Sequence, residues 1–305
     1  MSTAARSHGL TVAARRDKLT VMTTHATFAP AKINLMLHVR GRRPDGYHEI
    51  ESLIAHVALY DRVTVTARTG PLRIECRDPR IPADERNLAH KAAHTLLAAA
   101  GRSPADVAIR LEKHIPAGAG LGGGSSDAAA VLMLINKMLR LGFAREQLAQ
   151  IGAQLGADVP LFLHASPCIV RGIGHAIEPL SRALAGFATL IMPPLHCATP
   201  AVYQAWTRTG TPDERPSAAA LLAASSDVAT LMPSLYNDLE AAAMTVEPAL
   251  APLHVELVKL AGGPVRMSGS GASFFRLFDQ EQDARTFADL VAAKLHIPAA
   301  AVALR

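Results

Sequence analysis

The stretch PAGAGLGGGSSDAAA, residues 116–130, packs five glycines and two serines into eleven positions and then runs straight into alanine. Glycine inside a regular element costs roughly 0.5–1 kcal/mol against alanine, so five together need a reason. Two readings compete: a flexible turn, or a cradle whose backbone N–H groups approach an anion closely. The flanks favour the cradle. DVAIRLEKHIP (106–116) reads as a strand, and Asp127 to Leu139 reads as a buried helix with Ser126 or Asp127 capping its first turn. A glycine-rich passage from strand to helix points free N–H groups and the positive end of the helix dipole at one place.

The loop is not a Walker A sequence, because Gly124 follows Gly123 where lysine is required. Gly118, Gly120 and Gly123 do spell G-x-G-x-x-G. A dinucleotide-binding fold also needs a second strand ending in an acid about 20 residues on. The corresponding stretch, NKMLRLGFAREQL (136–148), reads instead as helix, turn and helix. A Rossmann-type dinucleotide-binding protein therefore stands only as an alternative.

Working outward, KINLMLHV (32–39) alternates Ile33, Leu35, Leu37 and Val39 on one face with Lys32, Asn34, Met36 and His38 on the other. That is a strand, ended by the turn chemistry of RRPDGY. HEIESLIAHVAL, RVTVTA and LRIEC continue as strands, so the chain is expected to open as a β-meander before the helix NLAHKAAHTLLAAAG. Past residue 170 the pattern restarts: strand FATLIMPP, short helix TPAVYQAW, helices LYNDLEAAAM and APLHVELVKLAG, strand halves around MSGSGAS, and a closing helix EQDARTFADLVAAKL. Mixed strands and helices without strict alternation predict an α+β fold in two domains, 26–170 and 171–305, with residues 1–25 as a disordered extension.

Composition narrows the function classes. The three cysteines, Cys76, Cys168 and Cys197, are far apart and include no CxxC, which disfavours a disulfide framework or a zinc site and fits a reducing cytoplasm. Ala128 to Ile135 is the longest purely apolar run, far short of the ~20 residues that span a bilayer, so no membrane partner is expected. The net charge of +5 is scattered and aromatics make up 4% of the chain, which suits small anionic ligands better than nucleic acid. The thirteen histidines show no metal-ligand spacing, and no protein-bound metal is expected. A monomer or weak homodimer is the expected state.

With GLGGGSSDAAA read as a phosphate loop, the chain resembles the GHMP kinases (galactokinase, homoserine kinase, mevalonate kinase, phosphomevalonate kinase). PAKINLMLHVRGRRPDGYHEIESL (30–53) resembles that family's N-terminal motif, and MSGSGASFF (267–275) its C-terminal glycine motif. Together with LGADVPLFL (155–163) and NDLE (237–240), these stretches are similar to the branch acting on 4-diphosphocytidyl-2-C-methyl-D-erythritol. Ala119, in place of a glycine often seen there, and Asp127, where asparagine also occurs, are small departures. The resemblance implies a two-domain GHMP-kinase fold with its active site in the cleft between the domains. It also implies an ATP-dependent kinase, Mg2+ accompanying the nucleotide, that phosphorylates the substrate's 2-hydroxyl in the non-mevalonate (methylerythritol phosphate) route to isoprenoid precursors. Homoserine- or mevalonate-type kinases are the alternative within the family.

The resemblance also assigns residues. Pro116, Ala117, Gly118, Ala119, Gly120, Leu121, Gly122, Gly123, Gly124, Ser125 and Ser126 would hold the nucleotide phosphates, with Asn87 and Lys113 near the adenine. From the residues alone, Asn87 reads equally well as a helix N-cap. Asp158 would be the catalytic base, although an aspartate in GADVP is by composition a cap or turn residue and a weak base near neutrality unless tuned. Lys32, by default a solvated strand-end lysine, would orient that base and offset developing charge. Tyr47 and His48 would take the substrate's cytosine, Asn34 would hold the same end, Tyr203 would face the base from the other side, and Thr199 would add a hydroxyl.

Overall fold

The computed structural model describes residues 23–103, 105–181, 183–207 and 215–305. Strands β1 (Thr24–Arg42) and β2 (His48–Pro71) form one long antiparallel hairpin. Its turn is closed by Arg43 N–H to Tyr47 O at 2.7 Å and by Gly46, whose φ of +89° is the left-handed geometry glycine permits. The expected segments 48–59 and 62–67 are thus one strand. The expected extension 1–25 lies outside the described residues up to residue 22, and β1 begins inside it, at Thr24.

Expected alternation along β1 holds only to Asn34. Asn34 pairs with Ile54 and Met36 with Leu53, so Leu35 is an extra residue and the strand bulges there. The bulge reverses the facing of the residues after it. Ile33, Leu35 and Met36 consequently enter one core cluster, while Leu37 and Val39 enter another. Both faces are covered, and the predicted polar face is buried: Lys32, Asn34 and His38 are all under 9% exposed.

β2 is the spine of a six-stranded sheet. Its far edge carries β4 (Ala105–Glu112) at one end and β5 (Cys168–Gly172) at the other, with β3 (Arg73–Cys76) beside β4 and β6 (Ala176–Pro179) beside β5. β3 pairs with β4, in parallel, which corrects the expected meander. Helices α1 (Leu88–Ala99), α2 (Gly123–Met138) and α3 (Arg145–Ala153) share a core with this sheet, represented by Val63, Ile109, Leu96 and Ile135. α2 starts at Gly123, four residues before its expected start, so Ser126 and Asp127 lie in its first turn and do not cap it.

A second, antiparallel sheet runs β10 (Ala299–Ala303), β7 (Phe187–Ile191), β9 (Phe274–Phe278), β8 (Arg266–Met267). Short helices α4 (Thr199–Ala205), α5 (Ala218–Ala223), α6 (Val228–Leu231) and α7 (Glu240–Val246) and the longer α8 (Leu250–Ala261) and α9 (Glu281–Leu295) complete this half. The expected boundary at 170 falls inside β5, which belongs to the first sheet along with β6; the chain changes sheets between Pro179 and Phe187. A continuous apolar cluster joins the halves, from Ile33, Leu53 and Val57 to Leu190, Phe275 and Leu304.

Glu51 on β2 fastens the second half from beneath. Buried at 1% exposure, it accepts from Arg40 and from Ala218 N–H at the start of α5, with Arg171 at 3.7 Å. Burial pushes its carboxyl up, but Arg40, the Ala218 N–H and Arg171 together hold it below the usual glutamate range. A lowered folded pKa adds stability above the unfolded value, and that stability is lost as pH falls through the folded one. Glu51→Gln should therefore cost about 1–3 kcal/mol at pH 7. In urea unfolding the deficit should shrink as pH drops below about 4.

Candidate active site

Lys32 is 4% exposed, and a buried ammonium is stable only when its protons are used. It donates to Asn34 Oδ1 at 2.5 Å and lies 3.8 Å from Asp158 Oδ2. Burial lowers the Lys32 pKa and Asp158 works against that shift. Asn34 is held in turn: its Nδ2 donates to Ser52 Oγ at 2.8 Å, and Ser52 donates to Met36 O at 2.6 Å. Asp158 sits in the turn between α3 and the 3-10 helix Pro160–Leu163, with 44% of its side chain exposed. One half of the pair is fixed and dry while the other is open to an incoming group.

The glycine loop is sewn to this pair. Lys32 N–H donates to Leu121 O at 2.9 Å, and Gly118, Gly120 and Gly122 have φ of +67°, +74° and +73°. A Cβ on Gly120 would stand 2.5 Å from Ser268 O and 2.9 Å from Gly271 O, so the loop lies directly on the MSGSGAS turn between β8 and β9. Ser268 Oγ accepts Asn34 N–H at 3.1 Å and donates to Gly120 O at 3.1 Å. Asn237 secures the same turn from behind, donating to Met267 O and Gly269 O. Gly122 caps α2 in the left-handed conformation without any side-chain bond, leaving the N–H groups of the first turn to other acceptors. Gly124 is exposed at that end, and Ser125 is half-buried.

His48, Tyr203 and Trp206 form an aromatic cluster. The His48 ring is 5.1 Å from that of Tyr203 and 5.5 Å, edge-on, from that of Trp206. Burial, then the negative charge of Asp158, raises the Tyr203 phenol pKa, so the carboxylate acts electrostatically on this cluster. Burial and Arg42 hold His48 below the usual histidine range. Thr199 Oγ1 lies 2.8 Å from Ser270 Oγ, joining α4 to the MSGSGAS turn. Tyr47, expected beside His48, is 63% exposed and stacks on no aromatic ring among the described residues.

The family models for the GHMP kinases N terminal domain and the GHMP kinases C terminal match residues 87–166 and 218–296. A relative from Syntrophotalea carbinolica named 4-diphosphocytidyl-2-C-methyl-D-erythritol kinase is 40% identical over 263 residues, covering 86% of this chain and 92% of its own. A like-named protein from Desulfitobacterium hafniense is 40% identical over 264 residues, with 86% and 89% covered. The chain belongs to this family of GHMP kinases. A crystal structure of a 4-(cytidine 5'-diphospho)-2C-methyl-D-erythritol kinase superposes with a TM-score of 0.75 at 37% identity, covering 92% of this chain and 99% of that one. Homoserine kinase from Cytophaga hutchinsonii shares the fold, with a TM-score of 0.69 at 19% identity over 97% of each chain.

In this GHMP kinase the two residues expected near the adenine have their polar atoms committed elsewhere. Asn87 is the N-cap of α1: its Oδ1 accepts Ala89 N–H at 2.9 Å and its Nδ2 donates to Pro82 O at 2.7 Å. Lys113 donates to two buried carboxylates, Asp61 and, at 2.6 Å, Asp127. Ser52, Asp61 and Trp206 carry parts of the site that sequence reasoning gave no role, whereas the turn holding Ser268 reads from sequence as a border of the phosphates or a tight turn between strands. Trp206, the single tryptophan, left a signal; Ser52 and Asp61 left none, because their partners depend on strand register.

Contact with the second glycine turn makes Gly120 intolerant of a side chain. Gly120→Ala should cost about 2–4 kcal/mol, from left-handed strain plus the clash with backbone carbonyls, and should abolish activity. Gly142 has φ of +80°, but a Cβ there would meet nothing within 4 Å, so Gly142→Ala isolates the strain. That control should lose only about 1–2 kcal/mol in urea unfolding and keep its turnover.

Proposed function

We propose that this chain is an ATP-dependent kinase that phosphorylates the 2-hydroxyl of 4-diphosphocytidyl-2-C-methyl-D-erythritol. The observation that carries the reading is the Lys32–Asp158 pair, tied through the Lys32 backbone to a glycine loop whose helix has no side-chain N-cap. The nucleotide's phosphates lie on the Gly118–Ser126 loop, where the first-turn N–H groups of α2 and the helix dipole receive them. The cytosine packs against Tyr203 and His48, with Tyr47 at the rim, and its tether brings the 2-hydroxyl to Asp158. The hydroxyl oxygen attacks the γ-phosphorus as its proton passes to Asp158; the bond from that phosphorus to the bridging oxygen breaks, and ADP leaves. The Lys32 ammonium, fixed by Asn34, offsets charge on the transferring group.

Mg2+ bound to the nucleotide's own oxygens would neutralise part of the phosphate charge. Among the described residues no group of three or more His, Cys, Asp or Glu could hold a metal ion. Cys76, Cys168 and Cys197 are all free, which suits a reducing cytoplasm. Among the described residues no helix is long and apolar enough to cross a membrane.

ADP release measured with the cytidyl ester, homoserine, mevalonate and galactose tests the assignment. Turnover on the cytidyl ester is expected; turnover confined to another acceptor overturns the substrate and leaves the fold standing. Asp158→Asn should lower kcat by about 10²–10⁴-fold and Lys32→Met by about 10²–10³-fold, with KM for ATP nearly unchanged. A Lys32 variant altered only in KM for ATP would place this lysine in ground-state binding.

The aromatic cluster separates this reading from other small-molecule kinases. Tyr203→Ala should raise KM for the cytidyl ester about 5- to 150-fold, the equivalent of a stacking contact of ~1–3 kcal/mol. Tyr47→Ala should act more weakly, because that ring is exposed. Equal losses for ATP and the cytidyl ester would make Tyr203 a support of the fold.

A further inference from the structure

Beneath the first turn of α2 three charged side chains are sealed from water. Asp61 on β2 is 0% exposed; its Oδ1 accepts His114 N–H at 2.6 Å and Ile115 N–H at 2.9 Å, and its Oδ2 accepts from the Lys113 ammonium. Asp127 on α2 accepts from the same ammonium through Oδ2, while its Oδ1 is buried without a partner. A Cβ on Gly123 would lie 3.4 Å from Asp61 Oδ2, which puts the cluster directly under the helix end that faces the phosphates. Two ionised carboxylates against one ammonium would leave a net negative charge there.

The donors are unequally shared. Asp61 has three, enough to stabilise an ionised carboxylate, whereas an ionised Asp127 would spread charge onto an oxygen with no donor. We propose that Asp61, Lys113 and Asp127 share one proton between the two carboxylates, held on Asp127, and that this neutral triad sets the affinity of the α2 N-terminus for the nucleotide phosphates. The inference rests on the reading of that helix end as the nucleotide site. These are positioning residues; none touches the reacting atoms. In support, burial and then the neighbouring Asp61 raise the Asp127 pKa against the pull of Lys113.

Other charges around the triad are engaged elsewhere. Asp78, after β3, is bound by Arg80. On α1, His90, Lys91 and His94 line a separate cleft with Glu85 and Leu155. From β1, Lys32 faces Asp158. As pH rises through the shared ionisation the triad passes from neutral to a single negative charge, and ATP binding weakens.

The test is KM for ATP and kcat from pH 6 to 9 at saturating Mg2+, for wild type, Asp127→Asn and Asp61→Asn. Wild-type KM should rise about 10-fold over that range, the scale of one charge acting across a protein interior. In Asp127→Asn it should stay level, because Lys113 and Asp61 then balance. A level wild-type profile, or an equal slope in Asp127→Asn, overturns the proposal. A second readout needs no nucleotide. A raised aspartate pKa makes the folded state hold more protons than the unfolded one, so wild-type stability falls as pH climbs from the ordinary aspartate range through the raised value. Asp127→Asn should lack that fall, and identical Tm–pH curves count against the shared proton. If neither variant folds, infrared spectra of ligand-free wild type decide: a protonated carboxylic acid band that shifts with 13C-aspartate and disappears as pH rises supports the triad, and its absence overturns it. Failure of ATP to bind at any pH would instead strike the nucleotide reading.

Discussion

A lysine ammonium taken out of water is the constraint around which this molecule is organised. Lys32 lies on a strand covered on both faces, where an unpaired charge would cost several kcal/mol. Its neighbours are the answer to that cost: the Asn34 amide, oriented by Ser52, and the Asp158 carboxylate, the one member of the group left partly open. Since the backbone of Lys32 also carries the glycine loop, fixing the charge fixes the loop with it. Phe162 stands beside both, close to Gly122 and stacked on His56, so apolar packing closes the floor under the charged pair.

The long β1–β2 hairpin makes this arrangement stiff. Its strands run through both halves, and the Leu35 bulge sends side chains from one strand into two separate clusters. The join between the sheets is consequently packed core, with backbone bridges from Leu37 to Asn237 and from Val57 to Leu304. A site built on such a join keeps its spacing because moving one sheet against the other would open apolar surface to water.

Glycine, proline and aspartate were legible because their backbone demands are local. The loop at 116–126, the hairpin turn at 43–47 and the two halves of the MSGSGAS strand pair could be placed from residue type alone. Register was not legible. Nothing in KINLMLHV marks Leu35 as an extra residue, so the burial of Lys32 and the partnership of Asn34 with Ser52 stayed hidden. The strand Ala299–Ala303 is mostly alanine and owes its conformation to pairing with β7, a tertiary effect that overrides propensity. Lys113 resembled a ligand contact for a related reason: the chain gives no sign that Asp61, 52 residues earlier, lies against it.

One hydroxyl has an outsized place in the order of assembly. Ser268 Oγ joins Asn34, 234 residues before it, to Gly120, 148 residues before it. During synthesis at about 5–20 residues per second, the first sheet and its helices are complete well before that serine leaves the ribosome. Until it does, the glycine loop lacks the opposing turn that Ser268 supplies. Premature termination before the MSGSGAS turn removes the hydroxyl that joins the first strand to the glycine loop.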